Sequence, residues 1–224
     1  MNFDDRIIGI ITDSFLPLLK AGIAFTVPVA LVSFVLGLIV ALITAIARLS
    51  NIKPFVIIAR FYVWIIRGTP LLVQLYIIFY GLAKVNIILD PLPAAIIGFT
   101  LNVGAYSSEV IRAAILSIPK GQWEASYSIG MTSSHALRRV ILPQAARVSI
   151  PPLFNSFISL VKDTSLAASI TLTEMFQVAQ RITAATYEPL VLYCEAAVIY
   201  LMFCTILSFV QGKIERKLDR YVAR

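Results

Sequence analysis

Polar side chains set at helical intervals inside apolar runs are the residues of this chain that could do chemistry. Asn102, Tyr106 and Glu109 are spaced i, i+4, i+7 and share one helix face. Arg112, three positions after Glu109, is placed to pair with it. Ser156, Ser159 and Asp163 make a second stripe, i, i+3, i+7. Lys162 precedes Asp163 and lies about 100° around the helix, so the two charges do not share a direction. Ionisable groups at bilayer depth are costly and face a bundle interior or a watery path. Asp163, Lys162, Asn102 and Ser159 supply a negative acceptor, a positive donor, an amide and a hydroxyl. That set can hold a free amino acid, with Asp163 on the ammonium and Asn102 and Ser159 on the carboxylate or side-chain polar atoms. Tyr106 is either a further contact or packing. Alternatively, Lys162 and Asp163 pair with neighbouring helices and never meet a cargo. For Glu109 and Arg112 an ion pair near a cytoplasmic helix end is the favoured expectation. Gln74, just after "RGTP" at 67–70, is a candidate gate residue.

Covalent and metal chemistry find little support. His135 is the only histidine, which excludes an H-E-x-x-H metal site. Cys194 and Cys204, ten positions apart, would be ~15 Å apart along one helix, beyond the ~7 Å limit for Cα atoms joined by a disulfide. They read as small apolar fillers. Ser159 and Lys162 form a conceivable Ser-Lys dyad, a weaker alternative. No G-x-x-x-x-G-K-[ST] phosphate loop is present. No catalytic residue, bound metal or cofactor is therefore expected.

The elements that position these residues are apolar. The 224 residues are 59% hydrophobic and only 14% charged, with a mean hydropathy of +0.87; soluble domains carry about 25% charged residues. A bilayer core of ~30 Å needs roughly 20 apolar residues per helix. The sequence predicts an all-α membrane protein with about five spans: 23–47, 56–83 interrupted at "RGTP", 93–118, 148–172 and 189–210. Residues 1–20 are predicted as a short surface helix. The acidic start "MNFDD" lacks the basic region of a removable signal peptide. One membrane domain over 1–224 is the simplest organisation.

Lysine and arginine positions orient the spans. Segments 48–67, 112–147 and the tail from Lys213 hold fourteen of the nineteen basic residues. All three fall on one side if there are five spans. The other side carries Asp4, Asp5, Asp13, Asp90, Glu174 and Glu188. The N-terminus is therefore expected outside and the C-terminus in the cytoplasm. The net charge of +7 is then a topology signal, and no aromatic-basic nucleic-acid module is present.

Residues 121–144, "GQWEASYSIGMTSSHALRRVILPQ", are mostly polar and fall between spans three and four, on the cytoplasmic side. The stretch reads as helix, break, helix: "WEASYSI", a stop at Gly130, an N-cap at Thr132, then "SSHALRRVIL", with a new element beginning near Pro143. Ala125, Ser126 and Ser128 are small enough to admit a partner's backbone. The run Glu124-Ala125-Ser126, Gly130 and Val140-Ile141-Leu142-Pro143 resembles the "EAA" loop of permease subunits of bacterial ABC importers, with Ser126 for the second alanine and Val140 for the usual isoleucine. "RGTPLLVQ", "NVGAYSSEVIRAAI", "KGQWEA" and "SFISLVKDTSLAA" are similar to the polar amino acid permeases of that family, and "LDPLPAAIIGFTLN" and "GQWEASYSIGMT" are most like its cystine permeases.

The resemblance implies a type I ABC importer permease fold. It implies a coupling helix in the loop at about 119–147, seated in a groove of a separate ATPase through Gln122, Glu124, Ala125, Ser126, Gly130, Leu142 and Pro143. It further implies an ATPase partner that binds the ATP, an extracytoplasmic solute-binding protein, a second permease subunit (here expected as a homodimer) and residence in the bacterial inner membrane. The expected cargo is a polar amino acid, with L-cystine foremost. A secondary transporter driven by an ion gradient is the alternative; such folds often carry inverted repeats, and none is visible.

Overall fold

The computed structural model describes residues 3–219. Arg220 and Arg224, counted in the basic tail, lie outside the described residues. All regular structure among the described residues is helical. In chain order the helices are α1 (Phe3–Ala21), α2 (Val27–Leu49), α3 (Lys53–Gly68), α4 (Leu71–Tyr76), α5 (Pro91–Leu116), α6 (Lys120–Ser128), α7 (Ser133–Ala136), α8 (Leu142–Asp163), α9 (Met175–Thr186) and α10 (Pro189–Asp219).

Two prolines each follow a π-helical turn that accommodates them. A π-helical turn at Gly22–Thr26 joins α1 to α2, and the Val27 N–H reaches back five residues to the Gly22 carbonyl. Pro28 follows at once. A proline offers no N–H and its ring crowds the carbonyl four residues earlier; a widened turn just before it relieves both problems. The predicted separate surface helix is thus corrected: helix continues from Asp5 to Leu49, 45 residues. At 1.5 Å per residue that is about 67 Å, twice the hydrocarbon thickness, so only part of it can cross. The same device precedes Pro143. A π turn at Leu137–Ile141, with the Leu142 N–H on the Leu137 carbonyl, fuses α7 to α8. Pro143 therefore starts no new element.

Among the described residues three helices are long and apolar enough to cross a membrane: Asp5–Leu49, Pro91–Leu116 and Pro189–Leu218. The pair Lys53–Gly68 and Leu71–Val85 qualifies jointly but bends by 106°, at the predicted "RGTP" break. The remaining expected span maps to α8, which is 22 residues long. Its Arg147, Asn155, Lys162 and Asp163 make it less apolar. It also ends at Asp163 rather than Leu172, and Thr164–Ile170 tighten into a 3-10 helix.

Two compact units form. The first comprises the described residues up to Val35, with Thr69–Phe99 and Phe157–Val210; the second comprises Leu36–Gly68, Thr100–Ser156 and the described residues from Gln211. In the first, α1 packs on α9, and Leu18, Met175, Ala179, Ala196 and Ile199 form its core. In the second, glycines let α2 and α5 approach closely. A Cβ on Gly37 would lie 2.5 Å from Val103 Cγ1, and one on Gly104 would lie 2.7 Å from both Val40 Cγ1 and the Tyr62 hydroxyl. Small residues at such crossings maximise packing where no hydrophobic force drives helices together. Tyr62 adds a 2.6 Å hydrogen bond to the Leu101 carbonyl.

Overpacking of this kind costs about 1–3 kcal/mol. Gly37→Ala is expected to lower the thermal unfolding midpoint in detergent, whereas Gly9→Ala, where a Cβ meets nothing within 4 Å, is expected to leave it unchanged or raise it.

Candidate functional site

The polar residues of α8 and α5 separate by unit. Ser159, Lys162 and Asp163 belong to the first; Asn102 and Tyr106 belong to the second. Ser159 and Lys162 are exposed and Asp163 is half-buried. Past Asp163 the chain is tightly tied. Thr164, Ser165 and Ser169 each donate a side-chain hydroxyl to the carbonyl three residues back, at 2.6–2.7 Å. The 3-10 segment then stops at Thr171, whose φ of 64° is unusual for a β-branched residue. The N–H groups of Thr171 and Leu172 close that turn on the Ala168 and Ala167 carbonyls, both at 3.1 Å.

Glu174 follows and is fully buried. Its carboxylate caps α9 by accepting the Gln177 N–H at 2.8 Å and accepts the Tyr200 hydroxyl at 2.9 Å. Thr26 lies within 3.5 Å of it and accepts the Met175 N–H. One carboxylate thus binds α9 and α10 to the turn between α1 and α2. Glu174, in a segment expected on the outer side, is buried within the protein. Its signal was local: an acidic residue three positions before Gln177 at a helix start.

A cavity of about 530 Å³ opens in this unit, with Lys162 and Ser165 on its wall together with Phe176, Tyr193, Tyr200 and Cys204. Asp163 does not line it. Gln74, the candidate gate residue, is buried. Its amide nitrogen donates to the Thr69 carbonyl at 3.0 Å and the Thr69 hydroxyl at 2.9 Å, which holds the "RGTP" bend.

In the second unit Glu109 is a hub. Arg112 donates twice to Glu109 Oε2, at 2.9 and 3.1 Å, the pairing expected from spacing. Arg48 pairs with Oε1 of the same carboxylate, and Arg67 lies 4.0 Å from it. The Arg67 guanidinium also sits 5.2 Å from the centre of the Tyr106 ring, a cation–π distance. Tyr106 is therefore the floor of an arginine. Asn102 is half-buried. The Arg48 and Arg67 contacts join residues 40 to 60 positions apart, which no periodicity could reveal.

The predicted hairpin is present. α6 ends in a Schellman motif: the Gly130 N–H meets the Tyr127 carbonyl at 2.9 Å and the Met131 N–H meets the Ser126 carbonyl at 3.1 Å. Gly130 has φ 82°, where a side chain is strained. Thr132 caps α7, accepting the His135 N–H. Trp123 packs on the core of Ala114, Ile115, Ile118, Ile141 and Ala145, beside Leu142, and Gln144 donates to Gln122 at 3.2 Å. Glu124, Ala125, Tyr127, Ser128, Ile129 and Gly130 are exposed, as is Pro143. Ser126 is buried and donates to the Gln122 carbonyl, so it faces the hairpin's own interior.

The sequence pattern of the family described as binding-protein-dependent transport system inner membrane component matches residues 35–220. The L-cystine transport system permease protein TcyB of Bacillus subtilis (strain 168) is 58% identical over 216 residues, 96% of this chain and 92% of that protein. Among solved structures, an amino acid ABC transporter with histidines superposes with a TM-score of 0.86 at 32% identity, covering 97% of this chain and 99% of that one. An inward-facing MetNI methionine ABC transporter matches at a TM-score of 0.73 and 22% identity, covering 89% and 94%, which speaks to the fold alone.

Removing the Glu109 carboxylate leaves three guanidiniums unneutralised in a partly exposed cluster, at a cost of about 1 kcal/mol or more. Glu109→Gln is expected to destabilise the protein by that order in thermal unfolding in detergent, and a second substitution, Arg48→Met, is expected to recover part of the loss.

Proposed function

This chain belongs to the binding-protein-dependent inner-membrane transport family and is a permease of the amino acid ABC importers, and from that premise we propose that it carries L-cystine into the cytoplasm with ATP hydrolysed by a separate subunit. The observation that carries the cargo is the 58% identity to an L-cystine permease over nearly the whole chain. Its partners are an ATP-binding cassette ATPase, an extracytoplasmic solute-binding protein and a second copy of the permease. The N-terminus lies outside and the C-terminus in the cytoplasm, as the basic bias requires.

The hairpin at 119–147 is the coupling element. Its support is physical: a short helix, α6, is braced at its root by Trp123, stopped by Gly130, and left with a small, exposed surface at Ala125, Ser128 and Ile129. A stiff knob of this kind transmits displacement, because its base moves with α5 and α8, which flank it in the chain. ATP closes the motor, the hairpin moves, and the bundle alternates access. Asp163 takes the ammonium of the cargo, Ser159 its carboxylate or side-chain polar atoms, and Lys162 offers a positive donor beside them.

The test is uptake of radiolabelled L-cystine into proteoliposomes holding the whole complex with ATP inside. Uptake with the complex and none with this chain alone is expected; accumulation by this chain alone under an ion gradient would favour a secondary transporter. Asp163→Ala is expected to raise KM about ten-fold or more, the value of one charge-assisted contact, and an unchanged KM in a fully assembled complex rejects the assignment. Gly130→Trp is expected to leave the permease inserted while the ATPase dissociates from it or hydrolyses ATP without transport. Normal co-purification with normal uptake would remove the coupling role from the hairpin.

A further inference from the structure

Helix α3 carries two exposed cations, Lys53 and Arg60, and none of the salt bridges formed among the described residues uses either. No Asp or Glu occurs in the sequence from Ser14 to Leu89. Glu109 is already engaged by Arg48 and Arg112, with Arg67 at 4.0 Å. Arg60 is close enough to Arg48 for their charges to interact. Four guanidiniums therefore share one carboxylate, and this part of the second unit keeps a surplus of positive charge. Apolar surface lies among the cations. Lys53, Ile57, Arg60 and Trp64 recur at i, i+4, i+7 and i+11 and form one stripe, while Ala59 and Val63 supply the buried face. Ile57 is 65% and Trp64 70% exposed, and Phe61 leans on Trp64 with ring centres 5.9 Å apart. Water suits the cations of this stripe and hydrocarbon suits its rings; the headgroup boundary of a bilayer suits both.

We propose that the stripe is a binding site for an anionic phospholipid of the cytoplasmic leaflet, its phosphate held between Lys53 and Arg60 and an acyl chain laid along Ile57, Phe61 and Trp64. Charge complementarity selects the occupant. A free anion would meet the cations and leave the apolar surface uncovered. A zwitterionic lipid would cover that surface but bring its own ammonium into a positive field. An anionic lipid answers both, and its phosphate accepts charge-assisted hydrogen bonds from both side chains. The leaflet rests on the orientation proposed above, in which basic segments face the cytoplasm; the site itself does not depend on which solute is carried. Occupancy also sets a negative charge beside the Glu109 cluster, where the protein supplies too few.

Trp64 reports the site. With Trp123→Phe in the full-length permease, Trp64 is the last tryptophan of the chain. Its fluorescence is compared in two sets of vesicles of phosphatidylcholine with a minor share of phosphatidylglycerol, alike in charge and differing only in which lipid bears bromine on its chains. Brominated phosphatidylglycerol is expected to quench more deeply, as a preference of about ten-fold or more over an equal amount of brominated phosphatidylcholine, the effect of two basic contacts. Lys53→Gln with Arg60→Gln is expected to abolish that preference. Equal quenching by the two lipids in the unsubstituted stripe overturns the site and leaves these cations as topology signals. Quenching by neither means that protein covers α3, which also overturns it, and loss of the preference on adding inorganic phosphate would show a plain anion site instead. Native mass spectra of the permease with both tryptophans, released from micelles holding equal amounts of the two lipids, give an independent measure: retained phosphatidylglycerol is expected to exceed phosphatidylcholine, and equal retention counts against the proposal.

Discussion

A polar group at bilayer depth has no water to turn to, so it must find its partner inside the protein. Each unit gathers such groups around a carboxylate. In the first, Glu174 gathers a backbone N–H, a phenol and the α1–α2 turn. In the second, Glu109 gathers three guanidiniums. Helices in lipid lack a hydrophobic drive to associate, and a shared ion or hydrogen bond between distant segments supplies specificity that apolar contacts alone do not. Ser14 bonded to Glu195 at 2.5 Å repeats the pattern between α1 and α10. Arg6 fastens the far end of α1 to Glu188 at 3.3 Å and to the Thr186 carbonyl.

The helices are continuous through two prolines and broken where a turn is specifically held. Pro28 and Pro143 follow π turns that accommodate them, so long helices persist. The bend after Gly68 persists for another reason: Pro70 starts α4 with extended backbone, and Gln74 reaches back to Thr69. The motif "RGTPLLVQ" is thus a self-contained corner, with Arg67 committed to Glu109 and Tyr106 on one side of it and Gln74 closing the other.

Features set by local spacing were legible in the sequence. The Glu109–Arg112 pair, the N-cap at Thr132 and the stop at Gly130 are decided by residues within a turn of one another. So was the helical class, since apolar runs of that length have few other forms. What escaped was everything decided across the chain. Arg48 looks like an ordinary positive charge at a helix end until α2 and α5 meet at Gly37 and Gly104. Glu174 looks like a loop charge until Tyr200, 26 residues on, supplies its partner. Ser126 looks like part of a docking face until the hairpin closes and turns it inward.

This division separates structural charges from working ones. Arg6, Arg48, Arg67, Arg112, Glu109 and Glu188 are spent on ion pairs, and Glu174 and Glu195 on hydrogen bonds. Fixing those groups satisfies the fold, and a group so satisfied has little left to offer a passing solute, because binding it would first break an existing contact. Lys162 differs: it is exposed and on a cavity wall, without a salt bridge among the described residues. An exposed lysine without a salt bridge can meet an incoming anion without first breaking a contact of its own, which the paired arginines cannot do.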